Sequence, residues 1–152
     1  MYIIAVTTLL HLIWEYAHLP LYRAYGAIGS TAPLVITVAV FGDVLYTLSI
    51  IAGIMVIRWI KTPHDMISAW TPKEYCLSAL CGFLVALFVE YKALYLHRWA
   101  YGDMMPMIPI LNVGLTPILQ MMILTPLILF ASQWLRVFFE NNGSNKSGSI
   151  SA

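Results

Sequence analysis

The sequence predicts an all-α integral membrane protein, a bundle of four spanning helices, on three observations. Of its 152 residues 61% are hydrophobic and only 10% are charged, with a mean hydropathy of +0.81. A soluble globular domain carries about 25% charged residues, so this chain is too poor in charge to cover itself for water. The hydrophobic residues gather into four segments, at about 2–19, 33–57, 74–96 and 109–135, each near the roughly 20 residues a helix needs to cross a bilayer core. Each segment places one strong polar group in the same half of the bundle: Glu15, Asp43, Glu90 and Gln120 in turn. Residues 1–140 then form a single domain, and 141–152, rich in Asn, Ser and Gly, form a disordered polar tail.

The first segment runs into His11-Leu-Ile-Trp-Glu-Tyr-Ala-His18 and stops at Pro20. At about 100° per residue His11, Glu15 and His18 share one narrow arc, and Thr7 and Tyr22 extend it. A helix apolar nearly all round thus carries one polar seam. No basic region precedes it and no small-residue cleavage site follows, so it reads as a retained helix, not a signal peptide. A Gly/Ser/Ala-rich loop with Arg23 comes next. The second segment opens on Pro33, suited to a first helical turn, carries Thr47 one turn after Asp43, and closes on Arg58, Trp59 and Lys61. The third opens on Thr71-Pro-Lys-Glu74 with Thr71 as N-cap, and His97 follows Glu90 by two turns. The fourth contains Pro117 and Pro126 and is expected to be kinked or broken there. Ser49-x3-Gly53 and Ser78-x3-Gly82 are small-residue pairs of the kind that pack helices within or between protomers, which leaves homo- and hetero-oligomers open.

Four spans put both termini and the 58–73 loop on one side, with Arg58, Lys61, Lys73, Arg136 and Lys146. The other side has Arg23 and Arg98, with Lys92 near it. Excess cations mark the cytoplasm, so both termini are expected inside, with Trp59, Trp70 and Trp134 at the inner interface and Trp99 at the outer one. Helical rise then sets Glu15 roughly 8 Å, Glu90 roughly 10 Å, and Asp43 and Gln120 roughly 15 Å in from the outer helix ends. The four gather in the outer half of the bundle, with Asn112 and Thr116 ahead of Gln120 on the same face. The 97–109 segment, with Arg98 and Asp103 as its charges and Met104, Met105 and Met107 as a soft apolar edge, is expected to form the rim. It reads equally as an interfacial loop anchored by Trp99 and Tyr101.

Four uses of such a cluster are open. His11, Glu15, His18, Glu90 and His97 supply the imidazoles and carboxylates that suit a divalent transition metal, although His-Glu-x-x-His is absent. Glu15, Asp43 or Glu90, desolvated, can act as a general acid with a neighbouring His as base, on a polyprenyl- or quinone-like molecule dissolved in the bilayer. The same residues can be interhelical glue in a non-catalytic subunit or assembly factor. Transport is the fourth use, with a thin pathway for four short helices. A net charge of +1 offers no basic stripe for nucleic acid. Cys76 and Cys81 lie on different sides of their helix, and no nucleophile constellation is present.

Trp14-Glu15 with Pro20-Leu21-Tyr22, then Gly42-Asp43, then Arg98-Trp-Ala-Tyr101 with Met105-Pro106 and Pro109, then Gly114-Leu115 and Pro117 to Gln120, resemble a group of small bacterial four-span membrane proteins of unassigned function. The resemblance covers most of the chain outside the 58–73 loop and the tail. It implies a bacterial inner-membrane location and the same cluster of residues, and it carries no activity. The signature residues of the glutathione-transferase-like membrane enzymes, the lipoprotein signal peptidases and the thiol-oxidising four-helix proteins are absent. The expectation is a multi-pass protein whose site uses Glu15, Asp43, Glu90 and Arg98 for chemistry, Gln120 and Asp103 as ligand contacts, and His11, Glu15, His18, Glu90 and His97 for any metal.

Overall fold

A computed structural model describes residues 2–23, 32–63 and 69–148. The loop of 24–31 lies outside the described residues, as do 64–68 and 149–152. Helix α1 spans Tyr2–His18, α2 Ala32–Lys61, α3 Pro72–Tyr95 and α4 Leu115–Gly148, and all four are long and apolar enough to cross a membrane. Helix α1 packs on α2 and α4, and α3 packs on α4 and α2.

The buried faces explain the packing. In α1 the buried residues are Thr7, His11, Glu15 and His18, so the polar seam faces inward while Leu9, Ile13 and Tyr16 lie on the outer surface. This inverts the pattern of a water-soluble helix, as a hydrocarbon solvent requires. In α3 the buried residues are Ser78, Gly82, Ala86, Glu90 and Ala93, one per turn. The small ones let α3 lie against α4: a Cβ on Gly82 would stand 2.4 Å from the Met121 carbonyl oxygen. Glu90 continues that stripe and is carried inward with it. Gly53, by contrast, is exposed with nothing near its missing Cβ, so Ser49-x3-Gly53 makes no such contact here.

Thr71 caps α3 as expected, in a reciprocal capping box with Glu74. Beside it Arg58, buried near the end of α2, forms an ion pair with Glu74 at 3.4 Å, donates to the Ala69 carbonyl at 2.8 Å and lies over the Trp70 ring. The Trp70 amide in turn donates to Gln133 Oε1 of α4, so this end of the molecule is tied across three helices.

The fourth segment departs from expectation at its start, and its helix runs on past 141. The helix begins at Leu115, not near 109, because Pro109 takes the second position of a turn closed by Leu111 N–H on the Ile108 carbonyl. That turn joins β1 (Met107–Ile108) to β2 (Val113–Gly114), with Asn112 at φ 52°, a left-handed conformation that Asn tolerates. Pro117 therefore sits in the first helical turn, where it interrupts nothing. Pro126 is internal and denies one hydrogen bond to the Met122 carbonyl, yet α4 continues on both sides of it. Helix also extends to Gly148, beyond the point where a disordered tail was expected to begin. Adding residues to a formed helix costs far less than starting one, so the weak propensities of Asn, Ser and Gly do not stop it at 141.

The segment between α3 and α4 is tied to the end of α1. Tyr22 and Tyr101 form an antiparallel bridge, Arg23 N–H donates to the Ala100 carbonyl and Gly102 N–H to the Leu21 carbonyl. These bonds place Trp99 and Tyr101 over the polar seam.

Candidate functional site

Glu15, Asp43, Glu90 and Gln120, one from each helix, line a single cavity of about 310 Å³. Gln120 is its hub. Its amide nitrogen lies 2.8 Å from Asp43 Oδ2, 3.1 Å from Glu15 Oε1 and 3.2 Å from His11 Nδ1. Through that amide the carboxyls of Glu15 and Asp43 are brought to one side of the cavity. Because α4 starts at Leu115, Gln120 lies little more than one turn from the helix end, level with Glu15 and Glu90.

The two histidines of the seam have structural partners on both ring nitrogens. His11 is wholly buried beneath the cavity, with Nε2 at 2.9 Å from Thr47 Oγ1 and Nδ1 at Gln120. His18 accepts from Trp14 Nε1 at 3.1 Å through Nδ1 and faces Glu15 Oε1 at 3.3 Å through Nε2.

Glu90 is held differently. Only 3% of it is exposed, and its Oε2 accepts from the Tyr101 hydroxyl and, at 3.4 Å, from Trp99 Nε1. Among the described residues no hydrogen bond reaches its Oε1, which stays accessible from the cavity. Tyr101 lies outside the helices, and burial, then the bond to Glu90, pushes its phenol above the ordinary range. Sequence reasoning placed Trp99 and Tyr101 only as interfacial anchors. The signal for their second role was an aromatic pair with polar tips shortly after a buried acid, across a chain reversal.

The remaining expected residues divide. Arg98 lines the cavity at its mouth. Asp103 does not: it pairs with Arg23 at the exposed surface, because the bridge at Tyr22 brings those two segments together. His97 is also outside, exposed, at φ 51°. It ends α3 in a Schellman arrangement, with its N–H on the Leu94 carbonyl and that of Arg98 on the Ala93 carbonyl, and this turns it from the helix face that holds Glu90. The three rim methionines do not line the cavity either, and Met105 is buried under Thr116 and Gly114.

The five residues considered for a metal are thus not assembled as ligands. Among the described residues no group of three His, Cys, Asp or Glu side chains is placed to hold an ion, and the imidazole lone pairs nearest the cavity are engaged with the protein. What the site offers instead is carboxyl oxygens, the Gln120 amide and aromatic rings (Tyr22, Phe41, Tyr46 and Trp99) around a partly apolar space. Comparisons with protein-family models, with curated proteins and with solved structures give no match.

Proposed function

We propose that this chain is a multi-pass protein of a bacterial inner membrane, with both termini cytoplasmic, whose helix bundle holds in its outer half a site for a small lipid-soluble molecule. One observation carries the reading: acids from three helices and an amide from the fourth line one cavity with room in it. Interhelical hydrogen bonds that only fasten helices need no such space. The chemistry the groups suit is proton exchange with the polar end of a polyprenyl- or quinone-like molecule. Glu15 and Asp43 stand on one side as the proton-donating pair in this reading, and the open oxygen of Glu90 stands on the other as acceptor. In this reading Trp99 and Tyr101 orient Glu90, and Gln120 holds the pair.

The Gln120 hub favours a second reading, in which the cluster only fastens α1, α2 and α4 within a membrane assembly. Native mass spectrometry of the protein in nanodiscs drawn from the host membrane separates the two. The ligand reading expects a bound small molecule, or uptake of an added isoprenoid alcohol or quinone, and its loss when Ala39→Trp fills the cavity. A protein that carries nothing and takes up nothing, while Glu90→Gln lowers its melting temperature, leaves the fastening reading in place.

A further inference from the structure

Three acids line the cavity, and the one fixed cation beside them, Arg98, makes no ion pair with any of them among the described residues. Glu15 and Asp43 face Gln120 and the histidines. Among the described residues the hydrogen-bond donors to Glu90 are the neutral Tyr101 and Trp99, both on one oxygen. A carboxyl so deeply buried keeps its charge only beside a counter-charge, and its open oxygen faces a space large enough to admit one. Aromatic rings from Tyr22, Phe41 and Trp99 line that space, and such faces attract organic cations.

The cavity also has a side opening. Val38 and Phe41 of α2 line it, yet each is 64% exposed on the outer surface, so the space reaches the hydrocarbon-facing wall. Val85 and Val89 of α3 form the opposite edge. Below this gap α2 and α3 close through the cluster of Ile50, Ile54 and Ala86, and farther on through the Arg58–Glu74 pair. A volume of about 310 Å³ equals roughly ten water volumes, enough for a polar head and a short length of chain, with the rest left to protrude sideways.

We infer that the cavity takes a lipid-soluble amine, which enters between α2 and α3 and seats its nitrogen against Glu90 with its chain lying past Val38 and Phe41. This rests on the ligand-site reading proposed above and adds the charge of the ligand to it. The test is calorimetric titration of dodecylamine, dodecanol and dodecanoate into the protein in phosphatidylcholine nanodiscs, with empty nanodiscs subtracted. Dodecylamine is expected to bind at least tenfold tighter than dodecanol, and dodecanoate weakest. Glu90→Gln removes that preference, and Glu140→Gln, an exposed acid at the far end of α4, changes nothing. The wild-type ranking decides the matter even where Glu90→Gln fails to fold. Dodecanol binding as tightly as the amine, or an amine preference that survives Glu90→Gln, overturns the inference and leaves the cavity reading standing. Failure of all three to bind overturns both.

Discussion

Replacing Gln120 with leucine isolates the contribution of one amide. Its nitrogen serves Asp43, Glu15 and His11 at 2.8, 3.1 and 3.2 Å, but an amide has two hydrogens, so two of these bonds are made at a time. Interhelical hydrogen bonds in membrane proteins average about 0.6 kcal/mol and reach about 1.7, so losing two costs about 1–3 kcal/mol. Leucine is close to glutamine in size, which keeps the packing term small. For a chain of this length each kcal/mol moves the melting temperature by about 2–4 °C, giving an expected fall of about 2–12 °C. Circular dichroism melts in a mild detergent measure it. An unchanged or raised melting temperature would refute the view that this amide joins three helices, since an apolar replacement would then serve as well.

Other consequences are as specific. Gly82→Leu drives a side chain into the Met121 carbonyl, 2.4 Å from where its Cβ must sit, and is expected to lower the melting temperature more than Gly53→Leu, which meets nothing. His97→Gly relieves a left-handed residue at a helix end, so the melting temperature should hold or rise, whereas a metal ligand at that position would give a fall on replacement. For Tyr101 the sign follows from linkage: a phenol that keeps its proton more tightly when folded stabilises below the ordinary tyrosine range and loses that contribution as pH rises above about 10. Wild-type stability should therefore fall more steeply than that of Tyr101→Phe between pH 10 and 11, and parallel curves in chemical-denaturant titrations would contradict the bond to Glu90.

Much of this site was legible because a hydrocarbon solvent sorts side chains strictly. In α1 the polar residues recur at helical spacing among apolar ones, and only one orientation keeps all of them out of lipid. Glu90 follows three small residues of α3, Ser78, Gly82 and Ala86, along one stripe, so the face that packs is the face that carries the acid. The start of α4 was not legible, since Pro109 suits a turn and a first helical position equally. Spacing puts His97 on the Glu90 face and the rim reading gives Asp103 to the site, but a helix-ending turn and a surface ion pair take them elsewhere. The donors to Glu90 depend on how the 96–114 segment folds back onto Leu21 and Tyr22, a tertiary arrangement with no periodic trace. Arg58 looked like an interfacial cation, and its role in tying Glu74, Ala69 and Trp70 appears only once α2 and α3 are set side by side.

Proximity of the acids is the claim on which the rest stands, and a cysteine pair reads it directly. In a background with Cys76→Ser and Cys81→Ser, Glu15→Cys with Asp43→Cys should be joined by a short bis-methanethiosulfonate cross-linker. Tyr16→Cys with Asp43→Cys should not, because Tyr16 lies one residue on and on the outer surface. Equal cross-linking of the two pairs, or none at Glu15, would mean that the polar seam of α1 does not face α2, and the cavity as described would not exist.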